Sequence, residues 1–478
     1  MTEMPRGWTT ARLADIANVR LGRQRSPKHA TGDRMRPYLR AANVKWGGLE
    51  LSDVNEMAFT EAESETYELR PGDLLLGEAS GSPSEVGKPG QYKGEIDGCC
   101  FQNTLLRVRL PDGLLPDFYE HYFREQALNG KFAAGSRGVG IHHLGAAALA
   151  DWQVPVAPTP EQERIVTAIE EAFSKLDAGE AALRTVGQLL RRMREAVLSA
   201  AVAGRLVPQD PTDTPAIKLL ADLGLEPEGS ADDLPDGWVA ANLGGLLLDI
   251  EAGKSFATRG QPARSGEVGV IKVSAMTWGE FRPDENKALP AGTAIEKRWV
   301  VRAGDLLLSR ANTEEYVGAC VLVQSDHPDL ILSDKSLRLV PAGGIEPRWL
   351  LHVLRSRPAR VQIEQLATGT KESMRNISQA KLRTLRLSLP PTEEQRRIAD
   401  ELERQLSFIE VCRRAVDAGL VRSAALRRSV LRVAFDGRLV PQDPSDEPAW
   451  TLLDRANAGQ RVDDSPKPCR RPRVPSDT

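Results

Sequence analysis

Three short motifs contain residue types that catalyse reactions in other proteins, and none has the spacing that its chemistry needs. Gly253-Lys254-Ser255 ends like a phosphate-binding loop, but leucine occupies position 248, where that loop requires its first glycine. The acidic residues of 283–287 lie too close together in sequence for a nuclease carboxylate cluster. His142 and His143 are adjacent and lack a third metal ligand, which favours a loop contact. The sequence therefore predicts no catalytic residue and no metal site.

Polar loops offer a different chemistry, which is the reading of base edges and phosphates. Direct readout pairs arginine or lysine with guanine, and asparagine or glutamine with adenine. Such residues lie beside a tryptophan in two places and in glycine-containing loops before a long helix in two others. The candidates are Arg40, Asn43 and Lys45; Lys272 and Thr277; Arg137, His142 and His143; and Lys371, Arg375 and Asn376. The alternative for each place is a core tryptophan beside a solvated charge.

The chain contains an internal repeat. The run GRLVPQDPTDTPA from Gly204 matches GRLVPQDPSDEPA from Gly437, at an offset of 233 residues. A Gly-Asp-Leu-Leu-Leu run at 72–76 matches 304–308. Self-similarity over this length indicates a duplicated unit. Because the stretches before the long helices match only at scattered positions, we expect a shared scaffold that carries two modules with different surfaces.

Each repeat ends in a predicted long helix. Thr159 is the expected N-cap and Gln162 its capping-box partner, and Thr392 with Gln395 repeats the pattern. Gly204 and its repeat, Gly437, stand where a left-handed C-terminal cap belongs.

Between these caps, apolar residues recur at alternating spacings of four and three, which is the pattern of a coiled coil. The positions predicted to pack helix against helix are Ile165, Ile169, Leu176, Leu183, Leu190, Ile398, Leu402, Ile409, Leu426 and Val430. At about 1.5 Å per residue, each helix would be roughly 50–55 Å long. If the two copies pair antiparallel, the modules would lie at opposite ends of a strut longer than one turn of DNA, roughly 34–36 Å. The alternative is a plain dimerisation coil or packing within an all-helical core.

Short β-rich runs and one amphipathic helix in each module indicate mixed α/β domains. The predicted fold class is therefore α/β (α+β) recognition domains in tandem, separated by two long antiparallel coiled-coil helices, with an internal pseudo-two-fold repeat. The predicted divisions are a first recognition domain 1–157, a first spacer helix 158–204, a linker 205–233, a second recognition domain 234–389, a second spacer helix 390–437 and a C-terminal tail 438–478.

Composition excludes several classes. With 478 residues, 41% hydrophobic and 27% charged, the chain is typical of a multidomain globular protein. It shows no membrane span and no apolar signal core, so we expect a cytoplasmic location. Five cysteines without a CxxC spacing disfavour a disulfide framework and a zinc site. The net charge of −3 gives no support for nucleic acid by itself, because a binder needs its cations on one face.

In combination, these motifs resemble the specificity subunit of type I restriction-modification enzymes. The resemblance covers about residues 5–453 and depends on the two modules, the Glu-Gln-x-Arg-Ile helix starts at 161–165 and 394–398, and the Gly-Arg-Leu-Val-Pro endings. It implies that each module is a target recognition domain that reads half of a split, asymmetric sequence in double-stranded DNA. It also implies that the helices space these halves and dock two methyltransferase subunits. Restriction (motor-nuclease) subunits would join for cleavage, and S-adenosylmethionine, ATP and magnesium would belong to the partners.

Some features leave alternatives open. The loop 369–377 is similar to the family pattern Gly-Thr-x-x-x-x-Asn-Ile, whereas the first module has His143-Leu144 at the matching place. The residues alone also fit a two-module scaffold that binds protein partners without reading DNA, or a nuclease or methyltransferase with an unrecognised site. The basic segment 467–473 is expected to be disordered, and either contacts DNA non-specifically or has no role.

Overall fold

The structure is a computed structural model that describes residues 4–26, 30–134, 140–229, 234–277, 279–369 and 374–455. The chain divides into two compact units, residues 1–183 with 418–478 and residues 184–417. Each unit therefore contains one module and part of each long helix, whereas the sequence prediction set the helices apart as separate segments. Within the described ranges, no helix is long and apolar enough to cross a membrane.

The first module is built from short strands and helices that precede a long helix, α5 (Thr159–Val202). Its helices are α1 (Leu13–Ile16), α2 (Glu61–Tyr67), α3 (Pro116–Leu128) and α4 (Ala146–Ala150). Its strands are β1 (Thr9–Arg12), β2 (Asn18–Leu21), β3 (Met35–Leu39), β4 (Val44–Lys45), β5 (Gly48–Leu49), β6 (Asn55–Ala58), β7 (Leu74–Gly77), β8 (Ala79–Ser80), β9 (Pro89–Gln91), β10 (Cys100–Phe101), β11 (Leu105–Arg109), β12 (His142–His143) and β13 (Gln153–Val156).

The second module follows the same plan and precedes the other long helix, α10 (Thr392–Phe435). Its helices are α6 (Ala216–Asp222), α7 (Pro347–Arg355), α8 (Arg357–Leu366) and α9 (Gln379–Arg383). Its strands are β14 (Val239–Asn242), β15 (Leu247–Ala252), β16 (Gly269–Ile271), β17 (Asn286–Ala288), β18 (Val300–Val301), β19 (Leu306–Ser309), β20 (Ala311–Asn312), β21 (Cys320–Leu322), β22 (His327–Ile331), β23 (Ser336–Pro341), β24 (Arg375–Asn376) and β25 (Arg386–Leu389).

The two modules share their strand order, except that β18 adds a fourth strand to the smaller sheet of the second module. The antiparallel sheet β2-β11-β7-β9 of the first is matched by β15-β23-β19-β21 in the second. A second sheet places β3 between parallel β10 and antiparallel β6, as β16 lies between parallel β22 and antiparallel β17. The repeated Gly-Asp-Leu-Leu-Leu run forms the fully buried strands β7 and β19. The prediction of mixed α/β modules in tandem is confirmed, and the scattered sequence matches fall on this common scaffold.

Both long helices end at a glycine in the left-handed region, as predicted. Gly204 has φ 63° and Gly437 has φ 66°. The next amide in each case bonds back into the last turn, from Arg205 to the Ala200 carbonyl and from Arg438 to the Val433 carbonyl. A side chain at either glycine would suffer the backbone strain of a positive φ. The repeated glycine is therefore required by the C-terminal turn.

The start of α5 differs from the predicted capping box. Thr159 donates its hydroxyl hydrogen to the Gly113 carbonyl at 2.9 Å, and the Gln162 amide donates to the Pro158 carbonyl rather than to the Thr159 hydroxyl. Gln162 donates to the Ala157 carbonyl at 2.8 Å and accepts from the Leu115 amide at 3.0 Å. Leu115 is the N-cap residue of α3. Its backbone amide has no partner within the helix, as is usual for the first amides of a helix. The glutamine therefore joins the starts of two helices.

The start of α10 repeats this arrangement. Thr392 donates to the Gly344 carbonyl at 2.9 Å. Gln395 donates to the Pro390 carbonyl at 3.0 Å and accepts from the amide of Glu346, the N-cap of α7, at 2.9 Å. Both glutamines are fully buried, so their polar groups depend on these partners.

The repeated segment after each long helix packs against the start of the other long helix. In one unit Asp446, from the segment after α10, accepts from Arg164 at 2.6 Å. In the other unit Asp213, from the segment after α5, pairs with Arg397. The aspartate that the two segments share, two residues past their eight-residue identity, therefore belongs to one junction that is built twice.

The segments predicted as a linker and a tail both contain helical residues that pack in the junctions. The linker 205–233 contains α6, in which Ala216 and Leu220 are fully buried. The tail 438–478 begins with a packed stretch that is helical over 449–455, with Ala449 fully buried. The basic segment 467–473 lies outside the described residues.

Within each unit the two long helices contact each other in antiparallel order. In the first unit, Ser423 donates to Glu180 at 2.7 Å, and Arg427 pairs with Asp177. In the second unit, Gly187 faces Val416. Further along α5 in that unit, Arg194 lies near Glu410 and Arg413 of α10, so residue numbers rise along α5 as they fall along α10 in both units.

The contact positions on α5 differ in part from the predicted heptad. Ile165, Ile169 and Leu190 are buried, and Leu176 and Leu183 are half-buried. Between them, Phe173 is buried, and Gly187 faces the partner helix while the neighbouring Val186 is 42% exposed. The contact therefore includes residues outside the predicted set.

On α10 the predicted pattern holds until the last turns. Ile398, Leu402 and Ile409 are buried and Val430 is half-buried, but Leu426 is 46% exposed. Arg427 takes the place of Leu426, with its guanidinium 5.2 Å from the Phe173 ring centre. A straight helix drifts by about 20° per heptad, which accounts for a shift of this size. This corrects the assignment of Leu426 to the helix–helix contact.

Two equivalent histidines predict an acid-sensitive fold. Burial lowers the pKa of His121, on α3, to about 3 and that of His352, on α7, to about 4. Between pH 6.5 and these values the unfolded chain binds protons that the folded chain does not, so stability is lost as pH falls. Each histidine is expected to contribute a slope of about 1.4 kcal/mol per pH unit.

Urea unfolding of wild type and His352→Gln at pH 6 and pH 5 tests this expectation. The variant is expected to lose about 1.4 kcal/mol per pH unit of the wild-type slope. Equal slopes for the two proteins would show that His352 is not kept neutral by the fold.

Candidate nucleic-acid interface

Two short strand pairs hold the loop residues that precede the long helices. In the first module β12 pairs with β8, which places His143 opposite Ala79. In the second module β24 pairs with β20, which places Asn376 opposite Ala311. Strand pairing thus makes His143 and Asn376 equivalent, in agreement with the match of His143-Leu144 to the Asn-Ile of the family pattern.

The side chains on these strand pairs differ between the modules. His143 is exposed, with Nδ1 3.2 Å from a carboxylate oxygen of Glu78. At the equivalent place Asn376 is exposed and accepts from Arg310 at 3.3 Å. The amides of Leu144 and Ile377 bond to the carbonyls of Glu78 and Arg310 respectively, which establishes that Glu78 and Arg310 are equivalent. One module therefore presents an acid–histidine pair where the other presents an arginine–asparagine pair.

The other predicted loop residues have varied positions. Arg375 donates to the carbonyls of Glu364 and Ala367, at 3.1 and 3.0 Å, and so supports the end of α8. His142 is half-buried in β12. Arg137 and Lys371 lie outside the described residues.

Arg40 and Lys272 are equivalent residues at the end of the middle strand of the smaller sheet. Each is the N-cap of a 3-10 turn, at Ala41–Asn43 and Val273–Met276 respectively. Arg40 pairs with Asp53, and Lys272 pairs with Glu285 at 2.7 Å.

Some of the residues around these turns hold the turn together by hydrogen bonds, and others are exposed. Asn43 is 2% exposed, and its amide donates to the carbonyls of Glu50 and Asp53 while its oxygen accepts from the Arg40 amide. It therefore closes a turn, which corrects its assignment to base contact. Lys45 is exposed, and Thr277 is half-buried and donates to the Ser274 carbonyl at 3.0 Å.

A basic groove of about 400 Å³ lies in the second module. Its lining includes Asp334, hydroxyl and apolar residues, and four lysines: Lys254, Lys272, Lys287 and Lys335. Hydrogen bonds from Lys272 and Ser274 hold the pKa of Glu285 below its ordinary value, so this neighbouring carboxylate stays charged. We call this feature the lysine groove.

Of the four lysines in the lysine groove, only Lys272 is a contact candidate predicted from the sequence. Lys254 follows β15, Lys287 lies on β17 and Lys335 precedes β23, so they are distant in sequence. Gly253 allows the segment of Lys254 to pack against the segment before Lys335, because a β-carbon there would overlap the Leu332 carbonyl. The glycine of the Gly-Lys-Ser motif is therefore required by close packing between chain segments. A glycine directly before a lysine was the sequence feature that pointed to this place.

No cluster of three His, Cys, Asp or Glu side chains that could hold a metal occurs among the described residues. Cys99, Cys100, Cys320 and Cys412 are free thiols. The residues that the interface offers are thus cations, amides and hydroxyls, which suit hydrogen bonds to phosphate and to base edges.

Relatives match almost the whole chain. The type I restriction enzyme StySPI specificity subunit of Salmonella potsdam is 23% identical over 484 residues, covering 98% of this chain and 99% of that protein. The EcoKI specificity subunit of Escherichia coli K12 is 24% identical over 487 residues, with the same coverage. The EcoEI specificity subunit of Escherichia coli is 31% identical over 242 residues, which are 46% of this chain and 40% of that protein. No protein-family model matches the chain.

Solved structures share the fold. The HsdS subunit from Thermoanaerobacter tengcongensis matches 91% of this chain and 98% of its own, with a TM-score of 0.55 and 19% identity. A chain from a study of complex assembly and conformational transition of the type I R-M system matches 91% of this chain and 99% of its own, with a TM-score of 0.64 and 20% identity. Along almost its whole length, the chain is therefore similar to the specificity subunits of type I restriction enzymes.

Proposed function

We propose that this chain is the non-catalytic DNA-specificity subunit of a type I restriction-modification enzyme, in which each module reads one half of a bipartite, asymmetric site. The observation that carries the proposal is that the modules have one strand order but unlike side chains at equivalent loop positions. Glu78 and His143 stand where Arg310 and Asn376 stand in the other module. Two unlike readers on one scaffold recognise two different sequences.

The proposal assigns the gap between the two half-sites to the long helices, acting as an antiparallel coiled coil. Its support is the antiparallel contact within each unit, by Ser423 with Glu180 in one and by Gly187 with Val416 in the other. A helix pair resists compression along its axis, so it keeps the number of base pairs between the half-sites constant.

The proposal also assigns partner docking to the outer faces of these helices. Leu189 and Met193 on α5 are 62% and 38% exposed, and Phe408 and Val411 on α10 are 59% and 62% exposed. Exposed apolar side chains grouped on a helix are a feature of protein interfaces. Two methyltransferase subunits are the proposed occupants, with restriction subunits joining for cleavage. S-adenosylmethionine, ATP and magnesium would act in those partners.

The competing function is a scaffold that holds protein partners without reading DNA. The full-length likeness to specificity subunits and the lysine groove favour DNA over this alternative.

Methylation mapping tests the proposed function. The chain is combined with a cognate type I methyltransferase subunit, S-adenosylmethionine and genomic DNA, and the methylated positions are read by sequencing. We expect two specified segments separated by a constant number of unspecified base pairs. The chain alone, with magnesium and S-adenosylmethionine, is expected to leave DNA unmethylated and uncut. Methylation without sequence preference, or any reaction by the chain alone, would refute the proposal.

A further inference from the structure

We propose that the second module makes most of the contacts to the DNA phosphate backbone, while the first module reads its half-site with few such contacts. This inference rests on the proposed function and concerns how the contacts to phosphate are distributed between the two modules. It follows from comparing equivalent positions around the lysine groove, for which the duplicated scaffold provides an internal reference.

Three lysines of the groove are available to a ligand. Lys254, Lys287 and Lys335 are exposed, and within the described residues their ammonium groups make neither a hydrogen bond nor an ion pair. Lys272 is partly committed, because it pairs with Glu285. A concave surface lined by unpaired lysines concentrates positive potential, which attracts phosphate.

Strand pairing identifies the matching positions in the first module. Lys254 makes an isolated parallel bridge to Ser333, as Arg23 does to Gln102. Lys287 lies opposite Val270 on the middle strand, as Asn55 lies opposite Tyr38. The Lys335 carbonyl accepts from the Arg310 amide, as the Thr104 carbonyl accepts from Glu78.

The first module has lost or neutralised these positive charges. Arg23 is 5% exposed and donates to Glu63 and to the Ala58 carbonyl, both at 2.8 Å. Arg40, the counterpart of Lys272, pairs with Asp53. Asn55 and Thr104 are uncharged.

The neighbouring strand pairs differ in the same direction. The second module has Arg310 where the first has Glu78. A carboxylate repels phosphate, so this exchange further reduces backbone contact in the first module.

The consequence is an unequal dependence on salt. Each phosphate contact contributes about −0.9 to the slope of log affinity against log salt concentration. The three free lysines would therefore contribute about −2.7 to this slope. That contribution corresponds to an affinity about 40-fold lower at 200 mM salt than at 50 mM.

The test compares two variants of the chain, each assembled with methyltransferase subunits. Each variant has three cationic side chains replaced, in the second module or in the first. One variant carries Lys254→Gln, Lys287→Gln and Lys335→Gln. The control carries Arg20→Gln, Lys45→Gln and Lys93→Gln, which removes three exposed cations of the first module. Binding to a duplex that contains the mapped site is measured from 50 to 200 mM salt.

The second-module variant is expected to reduce the slope by about 2.7 and to methylate the same sequences as wild type. The control is expected to reduce the slope by about 0.9 or less, since Lys45 alone lies among the candidate contact residues. Equal reductions in both variants, or an unchanged slope in the second-module variant, would overturn the inference. A wild-type complex that binds every duplex equally would instead overturn the proposed function.

Discussion

Replacing Gln395 with leucine is expected to lower the free energy of unfolding by about 2–6 kcal/mol, although leucine fills a similar volume and is apolar. Gln395 is fully buried, and its two polar groups bind the Pro390 carbonyl and the Glu346 amide. Leucine would leave both backbone groups buried without a partner, at a cost of about 1–3 kcal/mol for each. The loss is large because the glutamine joins the start of α10 to the start of α7.

Urea unfolding of four proteins tests this expectation. Gln162→Leu should have a similar cost, since Gln162 makes the same two bonds in the other unit. Gln405→Leu is the control, because Gln405 is half-buried on α10 and its amide donates to the Glu401 carboxylate, one turn away on the same helix. It should change stability by less than about 0.5 kcal/mol. A cost for Gln395→Leu no larger than that of the control would show that the two bonds do not stabilise the junction.

Much of the fold was predictable because the repeat exposes it. A left-handed C-terminal turn needs glycine, so Gly204 and Gly437 indicate where both helices end. The buried strands β7 and β19 follow from three successive leucines after Gly-Asp. Such local signals act over a few residues, and the chain therefore displays them directly.

The junctions were not predictable in the same way. A glutamine three residues after a threonine indicates a capping box, but Gln162 binds Leu115, which is 47 residues away. Asp213 and Arg397 are 184 residues apart, and their pairing requires the fold of a whole unit. The identity of the repeated segments showed that something was shared, without showing what they contact.

The candidate interface was predicted only in part for the same reason. Lys272 was found because it lies beside a tryptophan, whereas Lys254, Lys287 and Lys335 come from three separate segments. Asn43 has the residue type of a base reader, but local backbone groups use its amide fully. Residue type indicates what a side chain can bind, and only packing decides whether it is free to do so.

Lengthening both long helices together should change the target of the enzyme. Seven residues are inserted between Leu183 and Arg184, and seven between Asp417 and Ala418, so that the contacts within each unit keep their register. Seven residues add about 10 Å along the helix axis, or about three base pairs of duplex. Because added base pairs also rotate one half-site about the DNA axis, we expect a gain of roughly one to three base pairs.

An insertion in α5 alone is the matched control. With α10 unchanged, the Ser423–Glu180 contact and the Gly187–Val416 contact could not both keep their register, so assembly and methylation are expected to fall. The double insertion restores the pairing, and its effect then reports on spacing alone.

The most direct test of the central claim is therefore to map the sites methylated by the double-insertion complex and by wild type. If two unlike modules are held apart by paired helices, both half-site sequences will be unchanged and the gap between them will be longer. An unchanged gap, or altered half-site sequences with the gap preserved, would contradict this account.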